Sequence, residues 1–173
     1  FLSIKASGFS KETVIPFVEN MGQHPYGVLY SVSVPGGSAF VTYDGKITYS
    51  VKGTVFTERF DGNAAFKPIG ILKSETKVNI YKGGHFPFEA IPSYSLLGFE
   101  KIAENISLTL QAKYNSFEKL FYVAPDGDPQ NIDVKIENAD MLNVVNGELV
   151  VHTPSGTALF TRPVAWLSLI HIS

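Results

Sequence analysis

The chain has 173 residues, 45% of them apolar and 17% charged, enough for one domain with a sizeable core and too apolar for a disordered segment. Its formal charge is −2, and basic residues such as Lys77, Lys82 and Lys101 stand alone, which excludes a nucleic-acid footprint. It contains no Cys, which excludes disulfides, zinc–thiolate sites and thiol catalysis within it, and no apolar run long enough to span a membrane as a helix.

Residues 1–16 are expected to be a leader remnant or a linker. Phe1-Leu2-Ser3-Ile4 reads as the end of an apolar signal core, with Ala6-Ser7-Gly8 as small residues near a cleavage point. After them, helical periodicity is nearly absent and strand signals are frequent. Val28 to Val34 is a strand ended by Pro35-Gly36-Gly37. Residues 39–43 and Ile47 to Val51 flank Asp44-Gly45, read as a hairpin with a type I′ turn, which needs positive φ at both central positions. Thr54 to Phe60 is a further strand.

Residues 63–75, with Pro68 and Gly70, read as a connecting loop. Residues 77–81 form a short strand before Gly83-Gly84, Pro87 and Pro92 bracket an irregular stretch, and 94–102 is extended. Ile106, Leu108, Leu110 and Ala112 alternate with polar residues, as one buried and one wet face require. Asn115-Ser116 turns the chain into 117–123. After a turn at Pro125 to Pro129, Ile132, Val134 and Ile136 alternate with Asp133, Lys135 and Glu137. Residues 142–145 and 149–152 flank Asn146-Gly147, a second type I′ pair, and Pro154-Ser155-Gly156 leads into 158–161. The fold class expected is all-β: an antiparallel sandwich, or two packed sheets, built from consecutive hairpins. Residues 17–166 make one domain or two halves, 17–84 and 91–166.

Phe17-Val18-Glu19-Asn20-Met21-Gly22-Gln23 resembles the Phe-x-Glu-Asn-x-Gly-Gln opening of the domain that precedes SBBP (β-propeller) repeats in bacterial surface proteins. The resemblance continues in order through Val28-Leu29-Tyr30, Phe40-Val41-Thr42, Lys77-Val78-Asn79-Ile80-Tyr81, Ile91-Pro92-Ser93-Tyr94, Phe121-Tyr122-Val123-Ala124-Pro125 and Gly147-Glu148-Leu149-Val150-Val151, closing at Pro163-Val164-Ala165. Two places depart from the pattern: residues 102–106, where a Tyr-Pro-Gly-Ile-Asp type of turn is common, and Trp166, where Tyr is common. The resemblance implies an exported, cell-surface protein whose partners are downstream β-propeller-type repeats of the same chain, with surface polysaccharide or protein as a further partner. It implies no activity and no cofactor. The last seven residues, Leu167-Ser168-Leu169-Ile170-His171-Ile172-Ser173, resemble the translation of a sequencing-library adapter and are expected to be an artefact. A chain broken there is expected to leave an open antiparallel edge prone to association.

Glu19, Asn20, Gly22 and Gln23 form the most distinctive cluster. Their side chains suit a loop pinned to backbone groups, with Gly22 supplying a positive φ; the alternative is a ligand-contacting loop. Asp126, Asp128 and Asn131 offer three oxygens for calcium, but Pro129 interrupts them and an ordinary turn is the simpler reading. Tyr26, Tyr43, Phe86, Phe88 and Tyr94 lie near turns, where rings either pack between sheets or stack on a partner or a sugar. His24, His85 and His152 lack metal-ligand spacing. Glu89, Glu100, Glu104, Asp133 and Glu148 supply carboxylates without any pairing signal for glycoside chemistry. The function expected is therefore a non-catalytic structural or adhesion-type module. The alternative, a carbohydrate-binding or carbohydrate-active domain, requires a groove where a His or two carboxylates converge with an aromatic platform, as when His85 or His152 lies within reach of a carboxylate there.

Overall fold

A computed structural model describes residues 2–3, 13–60, 67–75, 77–81 and 87–165. They form β1 (Leu2–Ser3), β2 (Val14–Ile15), β3 (Phe17–Glu19), β4 (Val28–Val34), β5 (Gly37–Thr42), β6 (Ile47–Val51), β7 (Thr54–Phe60), β8 (Ile69–Lys73) and β9 (Val78–Ile80). The second half contains β10 (Phe88–Ile91), β11 (Ser93–Ala103), β12 (Ile106–Lys113), β13 (Ser116–Val123), β14 (Val134–Glu137), β15 (Met141–Val145), β16 (Glu148–Thr153), β17 (Gly156–Phe160) and β18 (Val164–Ala165). One 3₁₀ turn, Pro129–Asn131, is the sole helical element among the described residues.

The strands arise where side chains alternate between two environments. In β12 the pattern is regular: Ile106, Leu108, Leu110 and Ala112 are buried, and the residues between them are half-buried. Thirteen strands form one sheet in the order β14-β7-β6-β5-β4-β3-β11-β12-β13-β1-β18, with β2 also on β12 and β8 also on β11. Every pairing is antiparallel, and β11 joins the two parts of the sheet by pairing with β3, β8 and β12.

This sheet folds back on itself. β7 and β13 stand seven steps apart in the strand order, which in a flat sheet is roughly 34 Å at about 4.8 Å per strand. Yet Glu58 of β7 pairs with Lys119 of β13, Phe60 meets Phe121 at 6.2 Å and Phe99 at 6.1 Å, and Tyr49 of β6 meets Phe117 at 5.7 Å. The expected two-layer sandwich is therefore present, with both layers supplied by one continuous sheet. A separate sheet, β15-β16-β17, covers part of the same core with Leu149, Val151, Ala158 and Phe160. The core takes residues from both halves of the chain, Phe17 to Phe60 and Leu97 to Phe121.

Three local expectations need correction. Residues 69–73 are not loop: they form β8, paired with β11. Gly70 disguises the strand, but a Cβ there would lie 2.4 Å from the Tyr94 ring, so the missing side chain is what lets that ring lie across the strand. Residues 88–91 are not irregular either. They pair with β9 as a two-stranded sheet with a register shift, and Ala90, at φ +52, donates its N–H to Asn79 Oδ1 at 2.8 Å. Third, Asp44-Gly45 is not a type I′ pair. Of the two only Gly45 has positive φ; its N–H donates to the Thr42 carbonyl, and Val41 pairs with Ile47 across a longer loop. Thr42 Oγ1 holds that loop by accepting from the Lys46 N–H at 3.1 Å and donating to Asp44. Asn146-Gly147 does adopt the expected form, with φ of +53 and +83 and Val145 opposite Glu148. The turn at 104–105 is a two-residue connection between Ala103 and Ile106, with Asn105 at φ +56.

Candidate functional site

The loop between β3 and β4 carries the distinctive sequence cluster. The β3 end is held on both sides, by Glu19 N–H to Pro92 O and Asn20 N–H to Leu29 O. Asn20 then organises the loop from within. Its Nδ2 donates to the carbonyls of Val28 (2.8 Å), His24 (3.2 Å) and Pro25 (3.3 Å). Its Oδ1 accepts from the N–H groups of Gly22 and His24, both at 3.0 Å. Gln23 is buried; its Oε1 accepts from Met21 N–H at 2.7 Å and its Nε2 donates to Glu19 O. Gly22 has φ +113, and a Cβ there would touch the Phe88 ring. The amide side chains thus face the chain's own backbone. Glu19 points elsewhere, accepting from the Tyr94 hydroxyl at 3.3 Å. Burial, then the Glu19 charge, raises the Tyr94 phenol above the usual tyrosine range.

A surface cleft of about 600 Å³ opens beside this loop, lined by Asn20, Gly22, His24, Tyr26, Tyr43 and Lys67 among others. Tyr26 is 97% exposed and meets Tyr43 edge-on at 5.8 Å. Contact with the Tyr26 hydroxyl raises the Tyr43 phenol above its ordinary range. His24 bonds Ser31 Oγ at 2.9 Å and packs its ring on Phe40, which fixes the wall of the cleft. The structure therefore brings together Tyr26 and Tyr43, and places Phe88 against the motif loop. Tyr94 instead packs on Tyr30. Phe86 and His85 lie outside the described residues.

The remaining sequence candidates are dispersed. Asp128 caps the 3₁₀ turn, accepting from Gln130 N–H at 2.9 Å, and Asp126, Asp128 and Asn131 are all exposed. Glu89, Glu100, Glu104 and Asp133 are exposed on separate elements, and Glu148 is half-buried at the start of β16. His152 meets Asn143 at 3.3 Å across β15 and β16. Among the described residues no three His, Cys, Asp or Glu side chains gather as metal ligands, and no helix is long and apolar enough to cross a membrane.

A third cluster escaped the sequence reading. Glu58 and Lys119 are ion-paired with side-chain exposures of 2% and 6%. The Tyr49 hydroxyl donates to Glu58 Oε2 at 2.7 Å, and Lys119 Nζ lies 4.3 Å from the centre of the Phe160 ring. Burial, then the Glu58 charge, holds the Tyr49 phenol well above its ordinary value. The sequence signal was parity. Glu58 shares parity with Phe56 and Phe60, and Lys119 with Phe117 and Phe121, so strand alternation places each charge on the same face as those rings.

Fold and cleft together define a two-layer antiparallel β-domain with a locked entry loop beside a surface aromatic pair. A family model described as a domain of unknown function (DUF7948) matches residues 17–170, and the chain belongs to that family. No curated protein and no solved structure matches it.

Proposed function

We propose that this domain is a non-catalytic module of a larger exported bacterial surface protein, with a structural or adhesive role. The observation that carries the reading is strand β15. It forms an edge of its sheet and holds no charged residue, and Met141, Leu142, Val144 and Val145 are 51%, 46%, 73% and 52% exposed. Natural edge strands are normally blunted by charge or cover, and an apolar strip of this kind favours a packing neighbour. The resemblance to domains that precede SBBP repeats supplies the neighbour: downstream propeller-type repeats of the same chain. Hydrogen exchange tests this. Amides of 141–145 are expected to gain protection when the domain is measured within its natural longer chain, and equal exchange in both contexts would sink the reading. Export is checked by protease shaving of intact cells, which is expected to release peptides of this domain.

The Tyr26–Tyr43 pair favours a second reading, contact with surface polysaccharide through ring stacking. Under it, Tyr26→Ala abolishes retention on a polysaccharide column while leaving thermal stability unchanged. Equal retention of variant and parent would dismiss it.

A further inference from the structure

Lys119 reaches the core from β13 and Glu58 from β7, in opposite layers of the folded sheet. An ammonium carries three donors. Among the described residues Lys119 Nζ has one oxygen partner, Glu58 Oε1, and otherwise faces the Phe160 ring. That is thin solvation for a buried cation, since a buried ion pair offsets its desolvation only when its remaining donors and lone pairs are also satisfied. The shell around it is aromatic. Tyr49 stacks on Phe56 at 4.9 Å, and Phe160 stands edge-on to both, at 5.8 and 5.9 Å.

We propose that Lys119 and Glu58 are a cross-linking site, at which Nζ and Cδ condense to an amide that ties β13 to β7. Along their hydrogen bond the Lys119 ammonium first passes a proton to Oε1, giving a neutral amine and a carboxylic acid. The amine lone pair attacks Cδ, and the Tyr49 hydroxyl, donating to Oε2, stabilises the oxyanion that develops there. The C–Oε1 bond breaks, Oε1 carries away the proton it holds and one from nitrogen, and one water leaves. The carbonyl reforms at Oε2, still hydrogen-bonded to Tyr49. No oxidant, metal or further reactant enters. The apolar shell favours the product, because a neutral amide replaces two buried charges. A burial-raised phenol is protonated across the neutral range, so Tyr49 stays a donor throughout. In a chain without Cys, this amide would supply the covalent tie between layers that a disulfide supplies elsewhere.

Intact-mass measurement of the full chain, denatured after folding, decides the matter. The expected result is a mass one water below the sequence mass, with a protease fragment joining the segments around Glu58 and Lys119. The Lys119→Arg variant is expected at its full sequence mass, and Tyr49→Phe is expected to accumulate the lighter form more slowly. Full sequence mass for the folded parent after prolonged incubation would overturn the proposal. So would a water loss that fragmentation locates at an Asp-Gly pair such as Asp44-Gly45 or Asp126-Gly127, where succinimide formation also removes water. Both outcomes are read on the parent chain, so a variant that fails to fold leaves the test intact.

Discussion

Asn20 engages five backbone groups with one side chain, whereas Lys119 carries three donors into the core and meets one carboxylate there. Both residues solve the problem of a polar group away from water, and they solve it to different degrees. The Asn20 and Gln23 amides of the motif loop are neutral and well partnered, so they rigidify the entry to the sheet at little electrostatic cost. The Glu58–Lys119 pair, before it condenses, is charged and sparsely solvated, so it is costly to break and chemically reactive. The difference indicates where this fold stores stability and where it stores chemistry.

The largest effect is expected at the charged pair. Glu58→Ala removes both the ion pair and the amide it would form and strands a buried ammonium, and is expected to cost at least about 3–5 kcal/mol, read from urea denaturation. A loss below about 1 kcal/mol would mean that water already reaches Lys119. Asn20→Ala comes next, at about 2 kcal/mol for the backbone groups left without partners. Its effect is local, so faster hydrogen exchange across residues 20–28 is expected while β12 stays protected. Equal loss everywhere would erase the distinction between loop and core.

A smaller change is expected with pH. Tyr49 has its folded value raised above the unfolded value near 10. Its contribution is complete below the unfolded value and is lost as pH rises toward the folded one, because the unfolded chain releases the proton first. The parent is therefore expected to lose stability above about pH 10, and Tyr49→Phe to lose less over the same range. Identical alkaline profiles would remove Tyr49 from the buried cluster. The smallest effect is that of Tyr26→Ala, expected within about 0.5 kcal/mol of the parent because the ring is 97% exposed.

Much of the fold was legible locally. Val28–Val34, Ile47–Val51 and Thr54–Phe60 carry the same bounds in sequence and structure, because alternation and turn residues act within a few positions. The Asn146-Gly147 turn was legible for the same reason. Asp44-Gly45 was not, because Thr42 adds side-chain bonds that favour a longer loop. β8 and β10 were missed because each draws its stability from a partner rather than from its own pattern. The motif loop was recognisable as a unit, yet its proximity to Phe88 and its link to Tyr94 depend on strands about 70 residues away.

By itself the sequence determined the all-β class, the order of the clearest hairpins and, through strand parity, which side chains of a regular strand such as β12 share the buried face. Only the tertiary structure decided that one sheet folds back to make both layers, that Glu58 meets Lys119 and that Tyr26 stands beside Tyr43 over a cleft. Parity is a local property of the backbone, set by the alternating direction of successive side chains. Which inward side chains meet depends on the twist and closure of the whole sheet, a sum over many strands that no short window contains.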